Sequence, residues 1–291
     1  MSDIFITLLI NGVLLASIYL LISLGLTLVF GVMNVINFAH GGFIMAGGYV
    51  TYWLAGSFGV DPILSLVVVI PVVFAGCYAI QLSLLEKVIG QDDLYTLLLT
   101  FGILLVLESV FRLQFGTQSQ TMEYLSAPVT FGEVSISMTR IATGAIGLIA
   151  AGALFAFLNW SRQGQAIRAT SQAPNLAEAS GIDSRRIRAL TFGLGGVLAG
   201  IGGTAYFLTY SISPVGGRHL LLIAFVVVVL GGMNSLRGTV AAAFIVGIYQ
   251  TFVQFQFGST EALFTMFIGI AVLLLIRPHG LFGEPEGRLH G

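Results

Sequence analysis

Apolar windows of about 20 residues recur along nearly the whole chain, and a window that long is what a helix needs to cross the ~30 Å hydrocarbon core of a bilayer. The sequence of 291 residues is 56% hydrophobic and only 9% charged, with a mean hydropathy of +0.97. This is the composition of an all-α, polytopic transmembrane bundle. Helices are expected at roughly 4–30, 36–57, 62–85, 94–115, 139–159, 188–212, 219–233, 238–257 and 261–277. Nine is the expected count within a range of eight to ten: 219–233 is short enough to be re-entrant, and 36–57 carries a possible break at Gly41 and Gly42.

Several functions are excluded at this level. A net charge of -1 and twelve scattered basic residues, with Lys87 the one lysine, leave no patch that could hold nucleic acid. The single cysteine, Cys77, sits in an apolar run and forms neither an intrachain disulfide nor a cysteine-based metal site. There is no G-x-x-x-x-G-K-[ST] element, GxSxG elbow or HExxH helix, so the chain reads as a non-enzyme with no cofactor or metal of its own. The first apolar segment carries Asp3 instead of a basic region and reads as a retained helix.

Arginine placement orients the bundle. The connection at about 160–188 holds Arg162, Arg168, Arg185, Arg186 and Arg188, whereas the loop at about 116–138 has no Lys or Arg and carries Glu123 and Glu133. By the positive-inside rule the first is cytoplasmic and the second external. Nine helices then put the C-terminus inside, in a multi-pass protein of the plasma membrane. The segment VTFGEVSIS (129–137) alternates as a small surface hairpin would. No linker divides the chain, which reads as one domain over 1–291.

Two regions stand out. GVMNVINFAHGGFIMAGGY (31–49) puts two asparagines, a histidine and paired glycines between apolar runs. In lipid each unsatisfied polar group costs several kcal/mol, so such a break lines a cavity or pathway. Asn34 and Asn37 equally suit helix caps, and His40 suits a packing hydrogen bond to a neighbouring carbonyl better than a place in the pathway. The second region, SRQGQAIRATSQAPNLAEASGIDSRRIR, places Pro174 at a first helical position and Gly181 at a C-terminal cap. Two turns of exposed helix are expected from Pro174 to Ser180, either as a docking knob or as a lipid-facing turn among topology-setting arginines. Small residues four apart (Gly12 and Ala16, Gly42 and Ala46, Gly196 and Gly200, Ala199 and Gly203) provide close helix contacts, within the chain or along a dimerising face.

The blocks GLTLVFGVMNVINFAHGGFIMAGGY (25–49), GQAIRATSQAPNLAEASGI (164–182), VVVLGGMNSLRG (227–238) and RPHGLFG (277–283) occur in order along nearly the full chain. Together they resemble the branched-chain amino acid permease family of ABC importers, on its LivH side. The resemblance implies an ABC importer permease architecture in a bacterial inner membrane. It also implies a paralogous LivM-type permease partner, two cytoplasmic LivG- and LivF-like ATPases that bind the ATP and Mg, and a periplasmic substrate-binding protein. It makes Arg168, Pro174, Asn175, Ala177, Glu178 and Gly181 the ATPase-docking candidates, with Asn175 standing where relatives often carry an acid. Asn34, Asn37, Phe38, His40, Gly41 and Gly42 become candidates for lining or shaping the translocation route.

The competing reading is a self-sufficient channel or secondary transporter for a small solute such as urea, an amide or an organic acid, with the Asn37–Gly42 break as filter. The capped cytoplasmic helix favours the importer. Glu108 and Arg112, four apart, are expected to form a local ion pair. Arg140, Arg218 and Arg237 are expected near membrane ends, so no counterion set for an amino acid is visible in the sequence.

Overall fold

The computed structural model describes residues 2–132, 134–278 and 280–283. In chain order these form α1 (Ser2–Met33), α2 (His40–Phe58), α3 (Leu66–Ser83), α4 (Asp93–Phe115), the strands β1 (Pro128–Phe131) and β2 (Val134–Ser137), α5 (Met138–Trp160), α6 (Arg162–Gln172), α7 (Pro174–Ala179), α8 (Ser184–Thr209), α9 (Gly216–Gly231), α10 (Leu236–Phe257) and α11 (Ser259–Ile276). Every expected apolar segment is a helix. Seven of them are long and apolar enough to cross a membrane; α2, at 19 residues, and α9, at 16, fall outside that set.

The bundle is organised around α1 and α8, whose most apolar windows are 83% and 78% buried, against 11% for the peripheral α11. A helix that is apolar on every side must be enclosed by other helices, and α1 is packed by α10, α8, α5 and α9. Small residues set how closely these helices approach. A Cβ on Gly25 of α1 would lie 2.5 Å from the Gly195 carbonyl oxygen of α8, and one on Gly12 would lie 2.9 Å from the Ile248 Cα of α10. Gly196 and Gly200 face Cys77, Val69 and Val73 of α3, and Gly203 meets the Ile44 backbone of α2. The small-residue stripe of α8 is therefore used inside this chain.

Polar side chains pair across the same interfaces. Tyr19 Oη donates to Gln250 Oε1 at 2.9 Å, and the Thr27 and Thr239 hydroxyls are 2.8 Å apart. Thr51 bridges the Ser65 and Thr204 hydroxyls at 2.8 and 2.9 Å. These pairs add side-chain hydrogen bonds between helices in an apolar interior.

The two ends of the bundle differ. At one, β1 and β2 form the expected hairpin, with Val129 opposite Ile136 and Gly132 at φ 63° in the turn. Glu133 lies outside the described residues. Gln120 and Ile212 exchange backbone hydrogen bonds of 2.8 and 3.0 Å, pinning the hairpin loop to the α8–α9 connection. At the other end, Arg188 at the start of α8 pairs with Glu86 at 2.5 Å, and α6 and α7 occupy the arginine-rich connection.

Candidate functional site

α1 stops at Asn34, whose φ of 51° is the left-handed region that asparagine tolerates better than most residues, while its N–H still bonds the Phe30 carbonyl at 2.8 Å. Asn34 thus ends α1, and neither asparagine caps α2: the N-cap position is Ala39, with no side-chain cap bond. The interruption spans residues 34–39 and precedes Gly41 and Gly42, which are helical. This corrects the expected break at the glycine pair: the two glycines serve close packing, and the backbone bends at the asparagines. Thr100 of α4 satisfies the opened backbone, receiving the Phe38 N–H at 3.2 Å and donating to the Ile36 carbonyl at 3.3 Å.

The break divides the six sequence candidates into two groups. Asn34 is exposed and Phe38 partly so. Asn37, His40, Gly41 and Gly42 are buried against the chain itself. The His40 Nε2 is 2.8 Å from the Ile22 carbonyl oxygen. Gly41 abuts Gly217 of α9, and Gly42 abuts Leu107 of α4.

The start of α9 lies deep in the bundle. After α8 the chain runs back along α2: Ile212 packs on Gly48, Gly216 lies by Met45, and Gly217 by Gly41. Two turns of α2 separate Gly48 from Gly41, about 10 Å. The N-termini of α2 and α9 therefore meet inside the protein, in the manner of paired half-helices whose positive ends point into an interior.

The third element is Glu108, two turns before α4 ends, about 10 Å of helix. Its side chain is 2% exposed. Arg218, in the first turn of α9, donates to it in a fork, Nε to Oε1 and Nη2 to Oε2, both at 2.6 Å. Arg112 adds the expected i,i+4 contact at a longer 3.4 Å. Arg218 is therefore gathered onto a buried acid inside the bundle, a partner that the sequence did not show. Hydropathy could not show this, because the descent of residues 210–215 precedes the helix. Two turns further along both helices, Phe101 of α4 and Phe225 of α9 flank Phe38, with ring centroids at 6.1 and 5.9 Å. The break, α4 and α9 thus share one seam, with charge at one level and three aromatic rings below it.

The arginine-rich connection forms a second candidate site. Pro174 occupies the first turn of α7, and Gly181 at φ 86° closes it, with the Gly181 N–H bonding Glu178 O and the Ile182 N–H bonding Ala177 O. Pro174, Asn175, Glu178 and Gly181 are exposed, whereas Ala177 is 4% exposed and holds the knob to the protein. Leu176, 70% exposed, is the large apolar group presented outward. Arg168 lies on α6 and donates to Asn159 at 3.0 Å. α6 itself was missed from sequence; its signals were Ser161, whose hydroxyl accepts from Gly164 N at 2.8 Å, and the buried face of Gly164, Ile167 and Thr170.

A sequence profile described as "Branched-chain amino acid transport system / permease component" matches residues 8–276. The chain is 30% identical to the high-affinity branched-chain amino acid transport system permease protein BraD of Pseudomonas aeruginosa, over 96% of this chain and 95% of that one. It is also 30% identical to the permease protein LivH of Escherichia coli K12, over 95% and 94%. Its fold is similar to a chain of the solved structure of PsaBC from Streptococcus pneumoniae in complex with Fab, with a TM-score of 0.54 at 14% identity, over 96% and 97%. A match through nearly the whole bundle, polar break and arginine-rich connection included, means that this chain belongs to the branched-chain amino acid transport permease family.

Proposed function

We propose that this chain is half of the translocation unit of an ATP-driven importer for branched-chain or related amino acids, paired with a LivM-type permease in a bacterial inner membrane. Two LivG- and LivF-like ATPases dock on the arginine-rich side, which is cytoplasmic together with the C-terminus, and supply the ATP and Mg chemistry. A periplasmic binding protein delivers substrate to the hairpin side.

The observation that carries this reading is the knob of α7: a turn closed at its C-terminal end, with Leu176 outward, held to the bundle through Ala177 and α6. A stand-alone channel does not need a capped helix projected from its charged side. ATPase closure would push on Pro174, Asn175, Glu178 and Gly181, with Arg168 bracing the base, and the motion would reach α8 directly through residues 181–184. The route runs along the seam where Asn34 and Phe38 are accessible, while Asn37, His40, Gly41 and Gly42 shape it from behind.

The test is a mild-detergent pull-down of the tagged chain with mass spectrometry of what copurifies. A second permease and two ATPase polypeptides support the reading. This chain alone, passing solute in liposomes without ATP, would favour the channel.

A further inference from the structure

We propose that the Glu108–Arg112–Arg218 cluster is a station for a carboxylate on the transported solute. This rests on the importer reading above and adds the chemical class that the membrane chain itself recognises.

Charge balance is the first ground. Among the described residues one buried carboxylate faces two guanidiniums, at the N-terminal end of α9. A structural ion pair in a membrane would be neutral, whereas this cluster has one positive charge in surplus.

Position is the second. Arg112 and Arg218 are 45% and 47% exposed, although both contact a carboxylate that is 2% exposed. Arg112, in the last turn of α4, can reach the interface, whereas Arg218 enters the bundle with α9 and is held on a buried acid, so the exposed side of this cluster is where water or a solute meets it. The aromatic group of Phe38, Phe101 and Phe225 two turns further along the same seam favours a solute path, since it offers an apolar surface beyond the charged one.

Fork geometry is the third. Arg218 spends its Nε and Nη2 on Glu108, which fixes the guanidinium plane. Arg112 reaches Glu108 through Nη2 only, at 3.4 Å, and keeps its remaining donors for an incoming acid.

The experiment uses the copurified complex in nanodiscs, treated with phenylglyoxal, with modification at Arg112 and Arg218 followed by peptide mass spectrometry. The probes are leucine, 4-methylpentanoate (carboxylate without amine) and isopentylamine (amine without carboxylate). Leucine and 4-methylpentanoate should slow modification of Arg112, and of Arg218 beside it, about fivefold when present at four times their Kd; isopentylamine should not. Equal protection by the amine, or protection by none, would overturn the station. So would an Arg112 that reacts in the isolated chain but not in the complex, which would assign the face to the partner permease. Arg112→Gln, which leaves the Glu108–Arg218 fork intact, should abolish protection at Arg218, and Arg112→Lys should restore part of it. ATP-dependent leucine uptake, measured on the same preparation, separates the two claims. Uptake without protection removes only the station, and protection without uptake removes only the importer reading.

Discussion

Gly41 and Gly217 meet backbone to backbone: a Cβ on Gly41 would lie 2.6 Å from the Gly217 carbonyl oxygen, and a Cβ on Gly217 would run into the Gly41 carbonyl. Each is the second residue of its helix, so this contact joins the buried starts of α2 and α9 and sets the width of the seam beside them. Alanine at either position must part the two helices, at about 1–3 kcal/mol. Gly41→Ala and Gly217→Ala are expected to lower the Tm of the detergent-purified protein. Gly76→Ala, where nothing lies within 4 Å of the added Cβ, should leave it unchanged.

His40 and Phe38 should separate stability from transport. His40 is fully buried with its Nε2 on Ile22 O, so His40→Ala opens a cavity worth roughly 2–4 kcal/mol and lowers stability and transport together. Phe38 is only partly buried, and Phe38→Ala is expected to reduce uptake with a smaller change in Tm. Parallel measurement of Tm and uptake on both variants checks the division of the break into a supporting half and an accessible half.

The two arginines on Glu108 differ in structural weight. Arg112 contributes a long, half-exposed contact, so Arg112→Ala should cost within about 1 kcal/mol. Glu108→Ala removes a buried carboxylate held by a 2.6 Å fork, and the loss of its charge-assisted hydrogen bonds should cost about 1.5–3 kcal/mol. Thermal unfolding in detergent should rank them in that order.

Changes on the α7 knob should uncouple without unfolding. Glu178→Lys reverses an exposed charge, and Gly181→Trp places a bulky side chain at φ 86°, where an L-residue is strained. Both variants are expected to insert and assemble, keep ATPase activity and lose at least about tenfold in uptake, equivalent to 1.4 kcal/mol of coupling. Normal ratios of uptake to ATP hydrolysis in both would move the docking surface elsewhere.

Much of this architecture is written in the chain as hydropathy and caps. The nine apolar runs, the Pro174-to-Gly181 turn and the Val129–Ser137 hairpin each depend on local preferences, and local preferences are visible in sequence. What sequence reading missed depends on contacts between distant segments. Thr100 looks like any helical threonine until the broken backbone of Ile36 and Phe38 lies against it. Arg218 follows a glycine pair at the head of a short helix and reads as a membrane-end arginine; only the descent of residues 210–215 brings it to Glu108. Asn34 was legible as a polar break but not as the left-handed stop of α1, because a cap and a stop draw on the same residue type.

The importer account is tested most directly by uptake into proteoliposomes containing this chain with its copurified permease and ATPases, with loaded binding protein on the hairpin side and ATP on the arginine-rich side. The account predicts accumulation of leucine against its gradient that requires both ATP and the binding protein. Equilibrating flux that proceeds without either would contradict it.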